Sequence, residues 1–243
     1  MEGLSRNFGG LRALDRITLA LAPGERLAVI GPNGAGKTTL FNIVTGLIPP
    51  SEGRITLFDQ DVTALKPHRR ARLGLARTFQ ITTLFPNLSV LDSVLLAVQA
   101  HDPARFTLHR PRSAYRHLFD RAEALLGEWG LDGRRHARTR ELSYGEQRQV
   151  ELLLALAGQP RVLLLDEPTA GLSPAETASV AGMVARLPRD IGLLLIEHDM
   201  DVAFELVDRI IVLFQGRVLA EGSQEVIKKN RQVEEIYLGA DDA

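Results

Sequence analysis

The strongest chemical signal in the sequence is the run Gly31-Pro32-Asn33-Gly34-Ala35-Gly36-Lys37-Thr38-Thr39. It fits the spacing G-x-x-x-x-G-K-[ST] in full, which average residue usage produces by chance in roughly one chain of this length in a hundred. Glycines let backbone N–H groups turn inward around phosphate oxygens with no Cβ in the way. Lys37 supplies a point charge for the outer phosphates, and Thr38 offers a hydroxyl to a bound Mg²⁺. Four further places carry compatible chemistry. The apolar run Val162–Leu165 ends in Asp166 and Glu167, a metal-shell carboxylate followed by one that can polarise a water. His198 follows Leu193–Glu197 and can donate to a phosphate, although a lone histidine at a strand end is commonly structural. Gln80, in RTFQ, has a neutral amide suited to sensing metal, water and phosphate together. Ser143 and Gly145, in LSYGEQ at 142–147, open a helix whose N-terminus is either a second anion site or simply a capped end.

Such residues need a scaffold that brings distant pieces of chain to one edge. Leu27–Ile30, Val162–Leu165, Leu193–Ile196 and Ile210–Leu213 read as strands buried on both faces, the pattern of a parallel sheet with helices on both sides. Three of them end at Gly31, at Asp166 and at Glu197–His198, and open α/β sheets bind ligands at the carboxyl ends of their strands. Helices are expected over Lys37–Leu47 and Glu146–Ala157. A third, Ser173–Leu187, has a serine cap, a proline at its first position, and Glu176 three residues after the cap. Leu14–Leu21 and Arg54–Phe58 point to a small antiparallel sheet. From Pro86 to Gly158 helical patterns dominate. Arg110, Arg112, Arg116 and His117, within Arg105–Arg121, read as a solvated surface or as a partner contact.

Bulk properties narrow the class. The 243 residues suffice for one large domain. The net charge of −1 offers no global field for nucleic acid, and none is expected as a partner. There is no cysteine, so disulfides and thiolate metal sites are excluded. No apolar run approaches the ~20 residues of a membrane helix, and no secretory signal opens the chain. Any service to a membrane is expected to go through a partner.

Taken together the motifs resemble the ATP-binding cassette family, over nearly the whole chain and in the family's order. GPNGAGKTT resembles its Walker A loop, and VLLLDE its Walker B segment with Glu167 as the catalytic carboxylate. LSYGEQ resembles its signature. Gln80 falls at the Q-loop glutamine and His198 at the switch histidine. Phe8 stands where the family has an aromatic that stacks on adenine, with ordinary packing as the other reading. Three residues depart from the pattern: Tyr144 and Glu146 replace a glycine and a glutamine of the signature, and Ser173 replaces an aspartate. The strings FGGLRAL, RTFQ, LSYGEQR, EPTAGLSP, LLLIEHDM and IYLG are similar to ATPase subunits of branched-chain amino-acid importers. Urea-import and lipopolysaccharide-export cassettes share several of them.

The resemblance implies an α/β fold: a P-loop NTPase (RecA-like) core with an antiparallel β-subdomain and an α-helical subdomain. One cassette domain is expected over 1–243. The core and β-subdomain would take about 1–79 and 160–243, and the helical subdomain about 80–159. It implies ATP and Mg²⁺ as ligands, the metal served by Thr38, Gln80 and Asp166. It also implies that Ser143, Tyr144, Gly145 and Glu146 complete the nucleotide site of a second ATPase subunit, head to tail. Two membrane-spanning permease subunits and an extracytoplasmic substrate-binding protein are the further partners implied. The location implied is peripheral, on the cytoplasmic face of the inner membrane. Ile81, Leu84, Phe85 and Leu88 are either the permease docking surface or core packing. A soluble cassette ATPase of translation or repair, a phosphate-loop kinase and a structural nucleotide binder are the rival classes.

Overall fold

The computed structural model describes residues 1–78, 84–102 and 115–238. The chain opens with β1 (Glu2–Phe8), β2 (Leu11–Ile17) and β3 (Arg26–Ile30), followed by α1 (Lys37–Thr45). Then come β4 (Glu52–Arg54), β5 (Thr56–Leu57), β6 (Gln60–Asp61), α2 (Pro67–Arg72) and β7 (Leu75–Arg77). Three helices follow, α3 (Val90–His101), α4 (Arg116–Glu128) and α5 (Tyr144–Ala157). The remainder is β8 (Val162–Asp166), α6 (Pro174–Ala185), β9 (Gly192–Ile196), α7 (Met200–Leu206), β10 (Arg209–Phe214), β11 (Arg217–Gly222), α8 (Gln224–Lys228) and α9 (Arg231–Leu238). The chain forms two compact units, one of Met1–Arg77, Arg161–Glu167 and Pro188–Ala243, the other of Thr78–Pro160 and Pro168–Leu187.

The first unit is built on a six-stranded sheet in the order β11-β10-β3-β9-β8-β7. Its pairs are parallel except for the β10–β11 edge. The four apolar runs read from sequence are its four central strands, and β3 and β9 are buried at every residue. Neither side of such a strand meets water, so no polar alternation is present. The short edge strand β7 and the antiparallel β11 were not anticipated. β7 has only three residues, the last an arginine, too short for a periodicity to register.

The expected antiparallel sheet is present, with strand order β2-β1-β4. Arg54–Phe58, however, is not one strand. Strand β4 ends at Arg54, and Ile55 is drawn inward to 4% exposure while its N–H donates to Thr63 Oγ1. Phe58 and Asp59 take positive φ values of 51° and 64° and form the two-residue turn of the β5–β6 hairpin. That turn breaks the apolar alternation.

Helix α1 is held from its far end by Arg70. This guanidinium, 1% exposed, donates to Ile43 O at 2.7 Å and Val44 O at 2.6 Å, the last carbonyls of α1. It donates further to Leu65 O and Thr63 O, both at 3.0 Å. Ile43 O also accepts from the Gly46 N–H at 3.0 Å, and a cation bonded to carbonyls at the negative end of a helix dipole is favourable.

The second unit is helical: α3 packs on α4 and α5, and α5 on α6. Val180, Val184 and Leu187 are buried, as the helical spacing predicts. Ser173 caps α6 in a reciprocal box with Glu176, also as read from sequence. In α5, Val150, Leu153 and Ala157 are buried at helical spacing, with Leu152 and Leu156 beside them, while Leu154 is only half-buried.

Replacing Arg70 by leucine removes four bonds to backbone carbonyls, two of them buried, and is expected to destabilise the protein by about 3 kcal/mol or more. Urea unfolding would register this as a midpoint lowered by about 1 M.

Candidate functional site

In the first unit, three neighbouring strands end at one edge. Val29 of β3 and Asp166 of β8 both pair with Ile196 of β9. The loop after Ile30, the Asp166–Glu167 step and the Glu197–His198 step therefore leave the sheet side by side. The sequence reading placed Gly31, Asp166, Glu167 and His198 at strand ends, and they lie there.

The loop itself is shaped by close approach. Gly36 has φ 104°, and a Cβ there would lie 2.7 Å from Ala13 O and from a Leu14 methyl. Only glycine fits. As the N-cap of α1, Gly36 brings no side-chain bond to the helix start. The first-turn N–H groups, together with the positive end of the dipole, face the space inside the loop. Lys37 folds back over that loop, its ammonium donating to Gly31 O at 2.5 Å and Pro32 O at 3.1 Å. Burial pushes the Lys37 ammonium below its ordinary range, opposed by the nearby charges of Glu167 and Asp166. Pro32 and Thr39 are half-buried, Asn33, Gly34 and Thr38 are exposed, and Ala35 is buried. An uncapped helix start, a lysine on the loop and an exposed threonine hydroxyl one residue later fit a triphosphate.

Asp166 is 2% exposed, and its Oδ2 accepts from Arg77 Nη2 at 2.6 Å. Arg77 also donates to Asn42 Oδ1 at 2.7 Å and Thr45 Oγ1 at 3.3 Å, tying the ends of β7 and β8 to α1. Burial raises the Asp166 carboxyl above the usual carboxylate range, and the Arg77 guanidinium opposes the rise. Sequence reasoning missed Arg77; its only signal is a charge closing a short apolar strand. Among the described residues no cluster of three or more acidic or imidazole groups could hold a metal by itself. A magnesium ion held by a nucleotide's phosphates needs only one or two protein oxygens, and Thr38 and Asp166 suit that demand.

Glu167 adopts a positive φ of 47° while its N–H donates to Ile196 O at 2.9 Å. For a non-glycine residue this costs about 1–3 kcal/mol, a strain typical of functional positions. His198 is exposed beyond the fully buried Glu197, and Asp199 caps α7. Phe8 is 45% exposed, with the Arg6 guanidinium 4.6 Å from its ring centre. Core packing is therefore not its role. Gln80 and Ile81 lie outside the described residues, as do Arg110 and Arg112. Phe85 is 65% exposed, whereas Leu84 and Leu88 are half-buried.

The second unit carries the LSYGEQ helix start. Ser143 caps α5 in a reciprocal box with Glu146, whose other oxygen accepts from Arg134. The Tyr144 hydroxyl accepts from Arg148 at 2.8 Å, and Arg148 pairs with buried Glu151. Glu146 and Tyr144, the two departures, thus serve the cap and an internal ion pair. The tip is not free for an anion: Glu176 Oε1 accepts from Ser143 Oγ at 3.1 Å and from the Gly145 N–H at 3.0 Å.

A parallel sheet that feeds a glycine loop into an uncapped helix, with Asp-Glu ending the next strand but one, defines a phosphate-loop nucleotide-binding protein. The family model for ABC transporters matches residues 14–170. The chain belongs to the ATP-binding cassette transporter family and is an ATP-binding, ATP-hydrolysing subunit of that type. It is 41% identical to the high-affinity branched-chain amino acid transport ATP-binding protein LivG of Escherichia coli (strain K12), over 98% of this chain and 96% of that one. It is 37% identical to BraF of Pseudomonas aeruginosa, a protein described in the same words, with the same coverage. Among solved structures, the ADP conformation of MJ1267, an ATP-binding cassette of an ABC transporter, superposes with a TM-score of 0.85 at 30% identity, covering 98% of this chain and 97% of that one. The dimeric cassette MJ0796 gives 0.76 at 26% identity, covering 91% and 97%.

Arg77→Leu strands a buried carboxylate and is expected to lose about 3–5 kcal/mol of stability. Adding Asp166→Asn should recover part of that loss. A double-mutant cycle by chemical denaturation is expected to give a coupling of about 2 kcal/mol between the two positions.

Proposed function

We propose that this chain hydrolyses ATP to drive import of branched-chain or related amino acids through a membrane complex. The near full-length likeness to LivG and BraF supports that substrate class over urea, amides or lipopolysaccharide. Among the described residues no helix is long and apolar enough to cross a membrane. The chain works at the cytoplasmic face of the inner membrane on two permease subunits, with an extracytoplasmic protein presenting the amino acid.

The observation that carries the reading is the uncapped start of α1 beside Asp166 and the strained Glu167. Lys37 leaves the loop carbonyls for the β and γ phosphates, and Phe8 offers its exposed ring to adenine. Thr38 and Asp166 would hold a magnesium ion that neutralises phosphate charge, with Gln80, outside the described residues, as the further ligand the family resemblance implies. The Glu167 carboxylate accepts a hydrogen bond from the water facing the γ-phosphorus, and His198 donates to a γ-phosphate oxygen. Ser143, Gly145 and their helix tip come from a second cassette, head to tail, as the dimeric state of MJ0796 makes plausible. Closure of the pair moves the permease subunits, which dock around Phe85.

Glu167→Gln keeps every nucleotide contact but removes the base. It is expected to bind ATP normally while turnover falls by about 10²-fold or more; phosphate release measured beside ATP binding decides this, and normal turnover would refute the assignment. Phe85→Asp is expected to abolish co-purification with the membrane subunits without lowering thermal stability. An intact complex would move the docking surface elsewhere.

A further inference from the structure

We propose that Glu176 is a built-in occupant of the α5 tip, holding Ser143 and Gly145 in place of a phosphate, and that ATP on a second cassette must displace it before the two can close. The proposal rests on the reading that this tip completes the partner's nucleotide site.

A capping box for α6 requires only that Glu176 reach back to Ser173. Its Oε2 does so, accepting from Ser173 N at 3.1 Å and Ser173 Oγ at 2.8 Å. Its Oε1 turns away from that local duty to a different helix, bonding Ser143 Oγ and the Gly145 N–H some thirty residues back in the chain. One carboxylate thus spans two helix starts, each offering a serine hydroxyl and a backbone N–H. These are the donors a phosphate oxygen would use.

Gly145 supports the same assignment from the other side. It is the second residue of α5, in the helix's first turn. A Cβ at 145 would lie 2.6 Å from Glu176 Cγ and 2.8 Å from its Cβ and Cδ. The missing side chain is what lets Glu176 lie across the helix tip.

The occupant is charged. Bonds from the Ser173 hydroxyl and N–H, then from Gly145, hold the Glu176 carboxyl down to about 2. It is therefore an anion throughout the neutral range, and a second anion cannot share its donors without strong repulsion. The geometry gives it a way out. Rotation of the side chain frees Ser143 and Gly145 while Oε2 stays on Ser173, so α6 keeps its cap.

The test uses the full-length chain carrying Glu167→Gln, with magnesium, and follows ATP-driven association by light scattering. Glu176→Gln is the variant of choice, because glutamine preserves the capping box and removes the charge. Association is expected at an ATP concentration lower by about fivefold or more, with ATP affinity of the separate chain unchanged. A loss of helix stability cannot mimic that, since it would raise the requirement. An equal or higher ATP requirement in Glu176→Gln overturns the proposal. Ser143→Arg separates the two levels, being expected to abolish association. If it associates like the parent, or if the parent never associates, the site reading falls and the occupant proposal with it.

Discussion

A helix can present its amino end to an anion only if nothing in its own chain has already satisfied it. The helices α1 and α5 answer that constraint in opposite ways. At α1 the cap is a glycine with no side chain to offer, and the lysine that follows donates to carbonyls of its own loop. No side chain caps that end, and its cation is bonded to the loop. At α5 the serine cap, the Gly145 N–H and a carboxylate form a closed set of bonds. That end holds an anion belonging to the protein itself. In the proposed pair of cassettes, a triphosphate would take up the lysine at α1 of one chain and displace the carboxylate at the α5 tip of the other.

Keeping α1 open demands support from elsewhere. Its last turn is anchored by Arg70, which meets the carbonyls a C-terminal cap would meet. The same end is tied through Asn42 and Thr45 to Arg77, which also carries the charge of Asp166. The two arginines differ in kind. Arg70 neutralises backbone dipoles and never needs to move. Arg77 neutralises a carboxylate whose own pKa is already raised by burial, so a cation arriving at Asp166 meets an ionisable group held in position rather than a free side chain. The two arginines thus fix the carboxyl-terminal half of α1, the helix that follows the phosphate loop.

Much of this was legible in the sequence, for physical reasons. Buried parallel strands carry unbroken apolar runs, so all four central strands were readable. The glycine loop and the Ser173–Glu176 box are local chemistry at fixed spacing. What escaped depends on pairing across the chain. Arg77 acquires its meaning only when β7 lies beside β8, and Arg70 only when α2 meets the end of α1. The break in Arg54–Phe58 depends on two residues entering left-handed conformations, which phenylalanine and aspartate do not announce.

Ser173 shows how a departure from a family pattern can be resolved by local bonding. The Ser173 hydroxyl accepts from the Glu176 N–H and donates to Glu176 Oε2, approaching that carboxylate more closely than any other donor does. Ser173 thus holds Oε2, the oxygen that would stay behind if Oε1 were released as proposed. On that proposal the charge of Glu176, with Ser173 as its anchor, would set how readily the α5 tip exchanges a carboxylate for a phosphate.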